Sequence, residues 1–287
     1  MDAFVRLANG LLMMALPVVL GLILASRWKA RWSTFAAGAL TFVLSQLGHL
    51  PFNQFLLTPL ALRQGWVTTA GQLTLLGAVL FGLSAGVFEE TARYLVLRFW
   101  KKDVRSWTGG MMLGAGHGGI EALVLGGLAL LAFAQAMAAR GAPDLSQLVP
   151  ADQVAQLQAA LDSYWGLPWY AALLGAGERV LAIALHLSLS LMVLQVFRSG
   201  RLSWLGLAVA WHALADALIV YIAGVVGPYA AEGALAILTL GSLFWIVYLR
   251  RTQADPEAAP EEPLHLSALQ KVDHDLNQTD LEQSRYQ

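Results

Sequence analysis

Long apolar runs, each close to the length of a bilayer, dominate the chain. Seven of them can be read, over residues 3–25, 34–57, 71–97, 109–139, 168–197, 203–224 and 230–249. A membrane-crossing helix needs about 20 mostly apolar residues, and each run meets that length. None alternates with a period of two, so no strand is expected. The first run lacks a strongly basic start and a small-residue cleavage site, and it is expected to be a true span rather than a leader. The pattern predicts an all-α fold: a polytopic membrane helix bundle of about seven transmembrane helices.

The short connections carry basic residues unevenly. One set holds Arg27, Lys29 and Arg31, then Arg98, Lys101, Lys102 and Arg105, then Arg198 and Arg201, then Arg250 and Arg251. The alternate set holds Arg6, Arg63 and Arg140. Lys and Arg concentrate on the cytoplasmic side, and the two sets alternate strictly along the chain, as seven spans require. The N-terminus is therefore expected outside and the C-terminus in the cytoplasm. The expected home is the cell membrane, as a multi-pass protein of the bacterial cytoplasmic membrane.

Two stretches fall outside the spans. Residues 143–163 place Val154, Leu157 and Leu161 at helical spacing among Asp152, Gln156 and Asp162. That predicts a short amphipathic helix on the outer surface, near 150–163. Residues 252–287 are polar, acidic and interrupted by Pro256, Pro260 and Pro263, which predicts a disordered cytoplasmic tail after a membrane domain at 1–251.

Composition narrows the chemistry. Hydrophobic residues make up 57% and charged residues 13% of 287, the net charge is −1, and mean hydropathy is +0.58. A soluble domain carries about 25% charged residues. The absence of cysteine excludes disulfides and thiolate metal sites. No nucleic-acid partner is expected, because there is no bulk basic surface.

Charged groups inside hydrocarbon are costly, so their presence within the spans is a functional signal. They fall in four clusters: Glu89, Glu90 and Arg93; His117 and Glu121; Glu178, Arg179 and His186; His212 and Asp216. Counted from the basic residues flanking their spans, Glu89, His117, His186 and His212 lie about 13–18 Å deep at 1.5 Å per residue. They share one layer. His49 lies deeper along its span and is set apart, with Gln46 and Asn53, as an interior polar stripe; Pro51 is a candidate kink.

Spacing assigns partners. His117–Glu121 and His212–Asp216 are i, i+4 pairs, so each carboxylate can orient its imidazole. Arg93 is i+4 to Glu89 and i+3 to Glu90, which leaves one glutamate for chemistry and one for the arginine. Glu178–Arg179 compensate each other internally. Gly82, Ser84, Ala85 and Gly86, and Gly114, Ala115, Gly116, Gly118 and Gly119, allow close helix approach and leave room for substrate or water. Trp28, Trp32, Trp66, Trp100, Trp107, Trp165 and Trp169 sit at span ends as interface anchors, and Trp211 is a candidate pocket wall.

Phe88–Arg93, Gly116–Glu121, Glu178–Ala182 through His186, and His212 through Asp216 together resemble the YhfC family of intramembrane proteases. That family is similar to PrsW and the CAAX prenyl endopeptidases. The resemblance implies a membrane-embedded peptidase that uses a glutamate-activated water. Arg93 follows the glutamate pair after two residues where the CAAX enzymes have three, and Asp216 stands where they have asparagine, so CAAX substrate specificity is not carried over.

Taken together, the residues predict hydrolysis of a peptide bond in or near a membrane segment. Glu89, Glu90, His117 and His212 are the catalytic candidates. Arg93, Glu121, Glu178, Arg179, His186 and Asp216 support them. The implied partners are a membrane protein or membrane-bound peptide substrate and the lipid bilayer. Two cofactor states stand open. One is a metal-free site; the other holds a divalent metal such as zinc on His117, His186, His212 and Glu89. The competing function classes are a non-catalytic membrane scaffold and a proton-coupled transporter, the latter disfavoured because paired broken spans are missing.

Overall fold

A computed structural model describes residues 2–252 of the chain. The expected tail at 252–287 lies outside the described residues except for Thr252. Among the described residues, seven helices are long and apolar enough to cross a membrane. In chain order they are α1 (Asp2–Trp28), α2 (Trp32–Arg63), α3 (Leu75–Trp100), α4 (Trp107–Gly141), α6 (Leu174–Ser199), α7 (Ser203–Val225) and α8 (Pro228–Arg251). A shorter helix, α5 (Val154–Gly166), lies in the connection after α4. No strand forms among the described residues; one isolated antiparallel bridge, Val67 to Leu73, tightens the connection before α3.

Local chemistry sets the helix ends. The Thr74 hydroxyl accepts from the Gly77 amide at 3.2 Å and opens α3, and Ser106 does the same for α4 with Gly109 at 3.1 Å. Gly200, left-handed at φ 70°, closes α6. Pro51 lies inside α2, and a π-helical turn, Asn53–Leu57, follows it. A missing amide and a widened turn are the usual companions of such a break.

α4 is the central helix, packed against α1, α2 and α6, while α3 lies along α7. Glycine makes these crossings close. A Cβ on Gly38 would strike the Leu113 carbonyl, and one on Gly116 would strike the Phe35 carbonyl, so α2 and α4 meet backbone to backbone. Gly82 and Gly86 do the same for α3 and α7, where an added Cβ would lie 2.6 Å from the Ala213 oxygen and 2.7 Å from that of Val209. The small residues thus allow close approach, and Gly82 and Ala85 also border the cavity beside Glu89. Close approach of this kind is a main source of helix association in lipid.

The two ends of the bundle differ. Toward the basic connections, Leu97, Met112, Leu189, Leu191, Met192 and Leu194 are fully buried. Trp107 caps this layer. It was expected to face the lipid interface, but its ring is buried and its Nε1 donates to the Ile246 carbonyl at 3.1 Å. At the opposite end, Arg6 donates to the carbonyls of Tyr164 (2.6 Å) and Leu167 (3.0 Å), and Arg140 lies over the Trp165 ring. These contacts hold α5, which begins later than residue 150 and buries no side chain fully.

Candidate active site

Five helices bring ionisable side chains to one place. α3 supplies Glu89, Glu90 and Arg93, α4 supplies His117 and Glu121, α6 supplies Glu178, Arg179 and His186, and α7 supplies His212 and Asp216. α2 adds Thr41, Gln46, His49 and Asn53. The backbone contacts at Gly82, Gly86 and Gly116 bring α2, α3, α4 and α7 close enough for this convergence. A cavity of about 320 Å³ is lined by Glu89, Glu121, Glu178, Arg179, His186, His212 and Asp216, with His49 and Asn53. Glu90, Arg93 and His117 lie behind its wall, with side chains fully enclosed.

Half of the cluster is a charge-compensated chain. Arg93 pairs with Glu90 and donates to His186 Nδ1 at 2.8 Å. A guanidinium only donates, so Nδ1 is an acceptor and Nε2 carries the proton. Nε2 then donates to Glu121 at 2.8 Å. Arg179 donates to the other Glu121 oxygen at 2.7 Å and pairs with Glu178. Glu121 thus serves His186 and Arg179. The i, i+4 spacing had pointed to His117 as its partner, but contacts across the α4–α6 packing prevail.

The other half has no Lys or Arg partner. The Thr41 hydroxyl donates to the Gly38 carbonyl at 2.6 Å, so its oxygen accepts from His117 Nδ1 at 2.7 Å. The neutral ring then presents the lone pair of Nε2 to Glu89 Oε2, 2.9 Å away. Two electron-rich atoms at that distance require a proton or a cation between them. His212 is set in the same sense: Nδ1 donates to Glu90 at 2.7 Å, which leaves Nε2 at 3.8 Å from Glu89 Oε2 and 3.6 Å from Asp216. Gln46 steadies the second Glu89 oxygen at 3.2 Å.

This geometry tests the fit of a metal. Ligating atoms of Glu89, His117 and His186 lie within 4.8 Å of one another, a buried group that could bind a metal. His186 has both nitrogens engaged by Arg93 and Glu121, whereas His212 is hydrogen-bonded through Nδ1 only and places Nε2 3.8 Å from Glu89. His117 and His212, each hydrogen-bonded through Nδ1 with Nε2 toward Glu89, make a second candidate donor set with that carboxylate.

Three participants escaped the sequence reading. Thr41 carries no charge, and its only mark in the sequence is a place one turn from Gly38. Gln46 and His49 were set apart by depth, yet Gln46 bonds Glu89 and His49 lines the cavity, its Nε2 accepting from Asn53 at 2.8 Å. Trp211, a candidate pocket wall, instead bonds Ser242 at 3.1 Å and packs against Gly241 of α8.

Comparison with known proteins places the chain in a family. The model of the YhfC intramembrane metalloprotease family matches residues 12–238. The uncharacterized membrane protein YhfC of Bacillus subtilis (strain 168) is 32% identical over 255 residues, which span 87% of this chain and 97% of that protein. No solved structure matches the chain. A family match across most of the membrane portion, together with this relative, identifies the chain as an integral membrane protein that belongs to the YhfC intramembrane metalloprotease family.

Proposed function

We propose that the protein is an intramembrane endopeptidase that hydrolyses a peptide bond in or near a membrane segment, with Glu89, His117 and His212 at its centre. The observation that carries this reading is the 2.9 Å approach of an imidazole lone pair to the Glu89 carboxylate, with Thr41 fixing the tautomer. His117 and His212 would hold a divalent ion such as zinc through Nε2, with one oxygen of Glu89 completing the set. Such an ion, when bound, polarises a carbonyl and lowers the pKa of its water to about 7.

The chain's own groups supply the rest. Glu89 is the buried carboxylate without an arginine partner. Its Oε1, held by Gln46, accepts the proton of the attacking water and returns it to the leaving amine. Glu90 acts through His212: pinned by Arg93, it fixes the ring so that Nε2 faces Glu89. Glu121 lines the chamber and orients the His186 ring; Asp216 lines it 3.6 Å from His212 Nε2.

The test is purified protein in liposomes with a reporter peptide carrying one membrane segment. Chelation abolishes cleavage and zinc restores it. Glu89→Gln lowers the rate by about a hundredfold or more, the scale of a lost general base. His117→Ala loses both metal and cleavage. Full cleavage by Glu89→Gln sinks the proposal, and metal binding with no cleavage of any membrane segment turns it into a scaffold.

A further inference from the structure

We infer that the chamber is entered from the end of the bundle opposite the basic connections, so that its substrate segment reaches the site, near the middle of the bilayer, from the outer side. The substrate clause rests on the peptidase reading; the access route does not.

Exposure grades along the bundle axis. The side chains of Glu90, Arg93 and His117 are 0% exposed and that of Glu89 is 9%. Glu121 rises to 23%, Asp216 to 36% and Glu178 to 37%. Glu178 lies one turn from the start of α6, at the end away from the basic residues. Phe81 and Ile219 line the cavity on that same side of Glu89 and His212. In the opposite direction the layer of Leu97, Met112, Leu191, Met192 and Leu194 is fully buried, closed below by Trp107.

A second opening points the same way. A space of about 250 Å³ joins Glu89, Glu121 and Asp216 to Phe42 on α2 and to Val124 and Leu125 on α4. Val124 and Leu125 lie about one turn beyond Glu121, farther from the basic end. A helical segment diffusing in lipid can reach Glu89 through this gap while water reaches it from the mouth. Because Lys and Arg mark the cytoplasmic side, the open end faces outward.

The chain has no cysteine, so single cysteines can be read without background. Phe81→Cys and Ile219→Cys report on the mouth. Thr69→Cys, in the exposed connection before α3, and Lys102→Cys, in a basic connection, mark the two sides. A membrane-impermeant maleimide is applied to intact cells and to inside-out vesicles. The mouth cysteines label from the same side as Thr69→Cys, in cells, and resist reagent from the Lys102→Cys side. Labelling from the Lys102 side, or from neither side while Thr69→Cys reacts, overturns the access route. Labelling of Lys102→Cys in intact cells overturns the outward direction. Thiol labelling is independent of hydrolysis, so outward access without cleavage removes the peptidase and leaves the route standing.

Discussion

Two polar regions meet on α3, separated by one residue of sequence. On one side, Glu90 faces Arg93, and the bonds continue through His186 to Glu121, Arg179 and Glu178, each carboxylate in contact with a guanidinium. On the other, Glu89 faces only the imidazoles of His117 and His212 and the amide of Gln46. Both regions are buried in a setting where an uncompensated charge is costly. The first has the composition of a structural network, in which anion and cation neutralise each other locally. The second brings an anion and two imidazole Nε2 atoms together with no guanidinium in contact, an arrangement that asks for a proton or a metal.

The most severe way to test this contrast is to remove the cation from the compensated region. Arg93→Met strands the Glu90 carboxylate and the His186 Nδ1 lone pair. Breaking a buried pair from one side costs about 3–5 kcal/mol, a large share of a typical fold's stability. The variant is expected to melt far below the parent in detergent, and the double variant Arg93→Met, Glu90→Leu to recover much of the loss. Glu89→Gln, in the other region, should melt at or above the parent temperature. If Arg93→Met melts normally, the two regions do not differ in the way described.

Much of the architecture was legible from pattern alone. Seven apolar runs with alternating basic connections match the seven observed helices to within a few residues at most ends. The common depth of Glu89, His117, His186 and His212 anticipated that they meet. The division of labour between Glu89 and Glu90 was not legible, because both lie within one turn of Arg93. It is decided by where α7 delivers His212, which bonds Glu90. Glu121 misled for a related reason: an i, i+4 pair on an isolated helix is worth only about 0.2–0.5 kcal/mol, and a charged partner on a neighbouring helix outbids it. Depth and charge mark neither Thr41 nor His49 in the sequence. The cavity runs along the bundle axis rather than across it, and an uncharged hydroxyl can set a tautomer.

A milder change sharpens the contrast within the uncompensated region. Thr41→Val keeps the shape of the side chain and removes the acceptor for His117 Nδ1. The ring can then take either tautomer or turn. Loss of such a supporting contact usually weakens a metal site about 10–100-fold. Titration against a competing chelator should show that weakening while the melting temperature barely moves, and Thr41→Ser should restore the affinity. Unchanged affinity in Thr41→Val would mean that the Nδ1 contact does not orient the ligand, and the tautomer argument would fall with it.

The smallest effect belongs to Asp216, the carboxylate that stands between the two regions. It has no arginine, like Glu89, yet its side chain is 36% exposed and its nearest oxygen lies 3.6 Å from His212 Nε2, beyond a normal hydrogen bond. A partly hydrated charge at that separation is worth at most about 1 kcal/mol, or about fivefold in rate. Asp216→Asn preserves size and removes the charge, so cleavage of the reporter peptide should fall by no more than about fivefold, with metal content unchanged. A fall of a hundredfold would instead place Asp216 among the groups that handle the reacting water. The uncompensated centre would then extend from Glu89 toward the mouth, and the single-residue boundary between the two regions would have to be redrawn around α7 rather than α3.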